Sequence, residues 1–557
     1  MNTPLASFRF PVRNETVSVQ RAGGRRPYRP FFLWLILGGG ALFGVGFMTV
    51  LSPVERPNII LILADDMGYS DLGCMGSEIP TPNLDRLAAN GLLMTQFYNA
   101  GRCCPTRASL LTGLYPHQAG VGDMTENRGV PAYQGYLNRR GLTIAEALKQ
   151  AGYTTALSGK WHLGEAPENW PQRRGFDYVY GVPKGGGIYF YPALIDRQVW
   201  ENDRQLTPDS TFYSTDAFND AAVRYVAGHD RKKPFFLYLA HVAPHFPLQA
   251  RPEDIARFRG KYRSGFEVVR RQRYERMQQR GLIPSAERLS SPDGRVLDWA
   301  RLPEGARDTL DLKMATYAAQ IACLDRGIGR LIAKLEETGQ LQNTVIFFLS
   351  DNGGESATPR PPAGADERIG TRTSWGAYGA SWANVSNTPF RLYKQYMHEG
   401  GISTPLIVHW PQQIRRGRLE RAAVGHVLDL MPTCLALAGA AYPKTGPTGE
   451  RLLPLEGQSL LPVFSGKPLN ERPFLAWEHE GNRAVRQGKW KLVSAYLQNQ
   501  WALYDLTTDR SEGHDLSRKH PDIVRKLTAL YDAWTDRTGV IPWQKLTAAH
   551  RPGGGNR

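Results

Sequence analysis

The feature that most constrains the fold of this chain is a repeated alternation of short apolar runs with amphipathic helical segments. The runs at 58–64 and 344–350 read NIILILA and TVIFFLS, which is the pattern of strands buried on both faces. Three helical segments each lead into such a strand, and they lie at 143–150, 216–228 and 312–337. This alternation predicts an α/β fold with a large, mostly parallel mixed sheet sandwiched by helices.

The pattern changes after residue 465. Short runs separated by turns, and then one helical segment, lie at 474–477, 483–486, 489–493, 501–505 and 521–535. They predict a smaller C-terminal antiparallel sheet packed by one helix. We therefore expect a larger domain at 55–465, an α+β subdomain at 466–545 and a disordered tail at 546–557. Residues 264–310, rich in Arg, Gln and Glu with little periodicity, are predicted to form an exposed insertion.

Residues 31–51 contain no charged side chain. At about 1.5 Å rise per residue, a helix of this length crosses a hydrocarbon core of about 30 Å. Six arginines within residues 1–30 keep that tail cytoplasmic by the positive-inside rule and export everything that follows. The alternative is a cleaved signal peptide; the length of the run and the lack of a clear A-x-A site favour an uncleaved membrane anchor. Both alternatives predict an extracytoplasmic protein.

Charge and cysteine content exclude several classes of protein. The net charge of +16 favours an anionic partner, but no Lys/Arg stripe alternates with aromatic residues, so no nucleic-acid partner is expected. Five cysteines are too few and too scattered for a disulfide scaffold or a zinc ribbon. Because their number is odd, at least one thiol is free.

Two of the predicted strands end in oxygen ligands. Asp65 and Asp66 follow the strand at 58–64, and Asp351 and Asn352 follow the strand at 344–350. The carboxyl ends of parallel strands meet at one edge of a sheet, so these side chains are expected to lie together. Either pair alone would be an ordinary turn or helix cap. Together, three carboxylates and an amide favour a Ca²⁺ or Mg²⁺ site.

A second motif starts at Cys103 and reads CCPTRASLLTG. Pro105 suits the first turn of a helix and Gly113 suits its end. Cys103 thus precedes a helix N-terminus, where unpaired N–H groups and the helix dipole favour an anion. Arg107, about one turn further on, can point back at the same anion. Without other evidence, a reduced thiol beside a helix start would be the ordinary interpretation.

Cys103-x-Pro105-x-Arg107 followed by ASLLTG resembles the signature of the type I sulfatases of the alkaline-phosphatase superfamily. The resemblance spans residues 55–520, and the overall sequence pattern is most similar to that of bacterial and animal arylsulfatases. Its further blocks are GYTTALSGKWHLG, APHFPLQA, FFLSDNGGES, RLYKQYMHEGGISTP, AVRQGKWKLV and WALYDLTTDRSEGHDL. It implies an alkaline-phosphatase-like fold, with the catalytic domain at 55–465, and an enzyme that hydrolyses sulfate esters.

The resemblance also implies a cofactor and a set of site residues. A maturation enzyme would oxidise Cys103 to formylglycine, and the metal would be Ca²⁺ or, less often, Mg²⁺. The implied metal ligands are Asp65, Asp66, Cys103, Asp351 and Asn352. The other implied catalytic residues are Arg107, Lys160, His162, His245 and Lys394. Arg107, Lys160 and His162 would hold the formylglycine hydrate, whereas His245 and Lys394 would bind the sulfate and serve the leaving group.

Three proton transfers follow from the resemblance. Asp351 would help to deprotonate the attacking hydroxyl, His245 would protonate the leaving alcohol, and His162 would take a proton when sulfate is expelled. The expected substrate is a sulfated small molecule or carbohydrate. Two alternatives stay open: a phosphonate or phosphate ester hydrolase of the same superfamily, and a non-catalytic protein in which Cys103 remains a thiol.

Overall fold

The computed structural model describes residues 56–549, except for 367, 415 and 416. The predicted cytoplasmic tail at 1–30 and membrane segment at 31–51 lie outside these residues. Within the described part of the chain, no helix combines the length and apolar character needed to cross a membrane. The expected disordered tail at 546–557 is wrong in its first residues, because a helix at Trp543–Ala549 extends into it.

Two sheets form within the described residues. The strands of the larger sheet are β1 (Asn58–Ala64), β2 (Leu92–Tyr98), β3 (Thr154–Lys160), β4 (Tyr178–Val182), β5 (Val199–Glu201), β6 (Arg204–Leu206), β7 (Phe235–Ala240), β8 (Thr344–Ser350), β9 (Ser403–His409), β10 (Arg418–Glu420) and β11 (Gly425–His426). The strands of the smaller sheet are β12 (Leu475–His479), β13 (Asn482–Gln487), β14 (Trp490–Ser494) and β15 (Ala502–Asp505).

Helices cover both faces of the larger sheet, and one packs on the smaller sheet. They are α1 (Pro82–Ala89), α2 (Cys103–Thr112), α3 (Pro116–Ala119), α4 (Ile144–Gln150), α5 (Ser214–Gly228), α6 (Pro252–Ala256), α7 (Phe266–Gln279), α8 (Glu304–Glu337), α9 (Gly379–Ser386), α10 (Glu399–Ile402), α11 (Leu430–Leu437), α12 (Leu461–Phe464), α13 (Pro521–Thr538) and α14 (Trp543–Ala549).

The larger sheet has a parallel centre. Its strand order is β10-β2-β9-β8-β1-β7-β3-β4-β5-β6, with β11 also paired to β2. Strands β8, β1, β7, β3 and β4 run parallel to one another, whereas β9 is antiparallel to both β8 and β2. The smaller sheet is antiparallel throughout. The predicted fold class is therefore confirmed, and the central strands present their carboxyl ends at one rim.

The expected exposed insertion at 264–310 is wrong for α7. One face of this helix is buried, and two of its buried side chains are arginines. Arg273 pairs with Asp71 at 2.6 Å and with Glu78 at 2.8 Å, and Arg270 donates to backbone carbonyls and to Ser290. The regular spacing of apolar residues that marks a packed helix is thus interrupted in the sequence, because Arg270 and Arg273, whose guanidinium groups are hydrogen-bonded, occupy two of the buried positions.

A buried ion cluster ties the smaller sheet to α10. Lys491 of β14 pairs with Glu399 at 2.9 Å and with Glu512 at 2.8 Å, and all three side chains are 0% exposed. Arg510 also pairs with Glu399, at 3.0 Å. Burial opposes a charge on Lys491, but the two carboxylates raise its pKa and keep it protonated.

Replacing Lys491 with Met is expected to lower the free energy of unfolding by about 3 kcal/mol or more, because it leaves two buried carboxylates with one fewer cation. The matched control is Lys489→Met, since Lys489 pairs with Asp505 at 2.7 Å but is 50% exposed. We expect the control to cost less than about 1 kcal/mol. Urea unfolding measures both, and equal losses would contradict the structural role of the cluster.

Candidate active site

The sequence-predicted site residues converge at the rim formed by the carboxyl ends of the parallel strands. Asp65 and Asp66 follow β1, and Asp351 and Asn352 follow β8. Lys160 ends β3 and His162 follows it, whereas Cys103 and Arg107 lie at the start of α2. His245 lies in the loop after β7, and Lys394 lies in the loop before α10. None of the ten is more than 8% exposed. The structure therefore brings all ten into one buried, ionised cluster.

The acidic residues form a set of oxygen ligands. The Asp66 backbone N–H donates to Asp351 Oδ1 at 3.2 Å, and Asn352 Nδ2 donates to Asp66 Oδ1 at 2.7 Å. Asp65 Oδ1 and Asn352 Oδ1 are buried and accept no hydrogen bond from any described residue. Burial and the Asp65 charge raise the pKa of Asp351 well above its usual value. Unpaired oxygens beside crowded carboxylates fit a hard divalent cation.

Three cations surround these carboxylates. Arg107 binds Asp351 at 2.8 Å and also donates to the backbone carbonyl of Lys160 at 3.0 Å. The Lys160 ammonium lies 2.6 Å from Asp65, and the Lys394 ammonium lies 2.7 Å from Asp66. Burial alone would raise the pKa of Asp65, but Lys160 and the other nearby positive groups hold this pKa below its usual value. Each of the three carboxylates is thus paired with a cation.

Cys103 is the first residue of α2, so the helix begins earlier than the sequence analysis predicted, which placed Cys103 just before it. Pro105 lies in the first turn, and Gly113 ends the helix in the left-handed conformation at φ 69°, as predicted. A hydrogen bond from Cys104, with the charge of Lys160, lowers the pKa of the Cys103 thiol despite its burial, whereas burial raises that of Cys104. Of the two thiols, position 103 is thus the one where the site stabilises negative charge.

The two histidines are the most exposed members of the cluster. Burial and the neighbouring Lys160 lower the pKa of His162 to about 4, so its imidazole is neutral at physiological pH. His245 Nε2 lies 3.5 Å from Asp66. A Cβ on Gly185 would come within 2.8 Å of the His162 ring, and one on Gly186 within 2.9 Å of the His245 ring. A glycine-rich loop therefore packs directly against both imidazoles.

Sequence reasoning missed three features of this site. Glu355 pairs with Lys394 at 3.2 Å, and it was visible only as part of the FFLSDNGGES block. Arg102, directly before Cys103, has its pKa raised by Cys103 and Glu480 in spite of burial. Asp66 and His162 also adopt left-handed backbone conformations, at φ 64° and 59°. Nothing in a single sequence signals such conformations at non-glycine residues, and they are typical of functional sites.

A mostly parallel sheet whose rim carries carboxylates and cations together defines a hydrolase of the alkaline-phosphatase-like fold, acting on anionic esters. Sequence comparison then gives the family. The model of the Sulfatase family matches residues 57–440, and that of the N-sulphoglucosamine sulphohydrolase C-terminal region matches residues 390–533. The chain belongs to the sulfatase family, and it is an enzyme that hydrolyses sulfate esters.

Individual relatives agree with this assignment. The chain is 36% identical over 466 residues to an arylsulfatase of Klebsiella aerogenes, covering 79% of this chain and 97% of that protein. It is 34% identical over 527 residues to an uncharacterized sulfatase of Schizosaccharomyces pombe, covering 87% of this chain and 95% of that protein. The crystal structure of Ps i-CgsB in complex with k-i-k-neocarrahexaose is similar at a TM-score of 0.64 and 29% identity, covering 86% of this chain and 93% of that chain.

Proposed function

We propose that this enzyme cleaves sulfate monoesters through a formylglycine made from Cys103, beside a Ca²⁺ or Mg²⁺ ion. The observation that carries the proposal is the convergence of Arg107 and Lys160 with three carboxylates around position 103. Formylglycine supplies a geminal diol, one hydroxyl of which is the nucleophile while the other lets sulfate leave without hydrolysis at sulfur. We further propose that residues 55–465 form the catalytic domain and 466–545 the C-terminal subdomain.

The proposed metal ligands are the oxygen donors at the rim. They are Asp65, Asp66, Asp351, Asn352 and the modified residue 103. The unpaired buried oxygens Asp65 Oδ1 and Asn352 Oδ1 support this set. A bound divalent cation would neutralise the crowded carboxylates and polarise a sulfate oxygen. Oxygen donors favour Ca²⁺ and Mg²⁺ over softer metals.

The sulfate group is proposed to bind between the cations. A sulfate monoester has one negative charge over three oxygens, and charge builds on the bridging oxygen as the S–O bond breaks. Arg107 and Lys160 orient residue 103, while Lys394, which pairs with Asp66, reaches the sulfate. Fixed cations on both sides stabilise the transition state more than the ground state, and no solvent has to reorganise.

Two histidines and one aspartate are proposed to move the protons. Asp351 helps to deprotonate the attacking hydroxyl. His245 Nε2 protonates the leaving oxygen. His162, which is neutral at physiological pH, takes a proton from the second hydroxyl as sulfate departs.

We propose a sulfated carbohydrate as the substrate class, supported by the similarity to Ps i-CgsB, whose structure contains a neocarrahexaose. A formylglycine-generating enzyme is the proposed maturation partner. We also propose that the protein is extracytoplasmic and held at the membrane by residues 31–51, with a cleaved signal peptide as the alternative.

The proposal is tested at position 103 and on two substrates. Trypsin cleaves after Arg102 and Arg107, which releases a peptide of residues 103–107 for mass spectrometry. We expect an aldehyde in place of the CH₂–SH group, and faster turnover of p-nitrophenyl sulfate than of a p-nitrophenyl phosphonate. An unmodified thiol in active enzyme would refute the formylglycine, and a phosphonate preference would favour the alternative hydrolase.

Replacing His245 with Ala is expected to slow poor leaving groups more than good ones, because a general acid matters most when the departing oxygen is basic. For phenyl sulfate we expect a loss of about 10²-fold or more in kcat, and for p-nitrophenyl sulfate a loss of less than about 10-fold. Steady-state kinetics on the two esters measure this difference. Equal losses would assign His245 to sulfate binding instead of proton transfer.

A further inference from the structure

A second cluster of metal-ligating side chains lies outside the ten-residue active site. It consists of Asp123, His479 and Glu480, each of which offers one ligand atom within 4.8 Å of the other two. His479 is the last residue of β12, and Glu480 lies in the turn after it at φ 49°. Asp123 comes from the loop after α3. The cluster therefore joins the smaller sheet to a loop of the catalytic domain.

Two polar atoms of this cluster are buried without a partner. Asp123 is 1% exposed and His479 is 0% exposed, and no described residue forms a hydrogen bond with Asp123 Oδ1 or His479 Nε2. The other polar atom of each side chain is engaged, since Arg128 binds Asp123 Oδ2 at 2.9 Å and His479 Nδ1 faces the Gly122 carbonyl at 3.4 Å. Both atoms are therefore available to bind a ligand.

The geometry suits a small metal ion. His479 Nε2 lies 3.6 Å from Glu480 Oε1. Ligand atoms in a tetrahedral zinc site with bonds of 2.0–2.2 Å lie about 3.4 Å apart. The hydrogen bond that His479 Nδ1 can donate to a carbonyl is the contact that orients a metal-binding imidazole. All three ligand atoms lie within 4.8 Å of one another, so each pair must close by about 1.4 Å or less to reach this spacing.

The chemistry of the ligands selects the metal. An imidazole nitrogen is a ligand of zinc and other transition metals, whereas Ca²⁺ and Mg²⁺ prefer oxygen donors. One histidine and two carboxylates leave a fourth tetrahedral position, which water can fill from the partly exposed Glu480 side. This set therefore differs from the oxygen-rich set at the active site.

We propose that Asp123, His479 and Glu480 bind a structural Zn²⁺ ion that fastens the turn after β12 to the loop after α3. The neighbouring contact between His117 and Glu478, at 2.9 Å, joins the same two regions. The ion adds a cross-link where the smaller sheet meets the catalytic domain. This site does not depend on the proposed catalytic cycle.

The test uses the full chain with Cys103→Ala and Cys104→Ser, because these thiols and His162 form another group that could bind zinc. Asp65, Asp66 and His245 form a further such group, so excess Ca²⁺ is added to compete with Zn²⁺ for these side chains. Zn²⁺ is added, free ion is removed by gel filtration, and bound zinc is counted by elemental mass spectrometry. We expect one retained equivalent and a zinc-dependent rise in Tm.

Two variants and one control locate the ion. His479→Gln and Asp123→Asn should each lose the retained zinc and the rise in Tm. The control is His514→Gln, because His514 lies 3.7 Å from Asp509 but is 65% exposed; it should keep both. If His479→Gln does not fold, Asp123→Asn decides the result. Absence of retained zinc in the parent, or equal retention in the variants, would overturn the proposal.

Discussion

Replacing Cys103 with Ala is expected to lower kcat by about 10⁴-fold or more, since removal of a covalent nucleophile has effects of this size. Alanine provides neither a thiol to oxidise nor a hydroxyl to attack sulfur. The variant should still fold, because the loss of one small buried side chain costs about 1 kcal/mol. Turnover of p-nitrophenyl sulfate measures the first expectation, and thermal unfolding measures the second.

Cys104→Ser is the matched control for this prediction. Cys104 is buried beside Cys103, but it lacks the C-x-P-x-R spacing. We expect Cys104→Ser to keep its activity and to show an aldehyde at position 103. A Cys103→Ala enzyme with turnover within about 10-fold of the native protein would refute covalent catalysis from this residue.

Removing divalent cations is expected to lower activity by about 10³-fold or more, because metal polarisation of the reacting oxygen contributes several kcal/mol to transition-state stabilisation. Without the cation, the carboxylates of Asp65, Asp66 and Asp351 would face a substrate of like charge. Dialysis against EDTA followed by assay measures the loss. Added Ca²⁺ should restore the activity.

EDTA saturated with Ca²⁺ is the control, since it separates removal of the ion from other effects of the chelator. We expect it to leave the activity unchanged. Full activity in excess free chelator would contradict the metal assignment. Restoration by Zn²⁺ but not by Ca²⁺ or Mg²⁺ would contradict the choice of metal.

The sequence predicted those parts of the site that depend on local pattern and on sheet topology. Asp65 and Asp351 could be placed together because each follows an apolar run, and the structure pairs these two strands in parallel. The end of α2 followed from Gly113, whereas the helix begins before the position that Pro105 suggested. Lys394 could not be placed by pattern, because a loop lysine is normally solvated; only the family resemblance indicated it.

The parts that were missed depend on contacts distant in sequence. The helix α7 escaped detection because Arg270 and Arg273 occupy its buried face, and their partners lie elsewhere in the chain. The close approach of Gly185 to His162 likewise arises only when β3 pairs with β4 and brings together the segments that follow these strands. Such features are set by tertiary packing, and the hydrophobic periodicity of a sequence does not indicate them.

The burial of α2 has a consequence for biosynthesis. Every side chain of this helix is buried, and Cys103 is 1% exposed. An oxidising enzyme cannot reach that sulfur once the chain has folded, so the proposed conversion to formylglycine must compete in time with folding of the nascent polypeptide. A cell that synthesises the protein faster than it can convert it would accumulate well-folded but permanently inert molecules, and specific activity would then report the speed of conversion instead of the quality of folding.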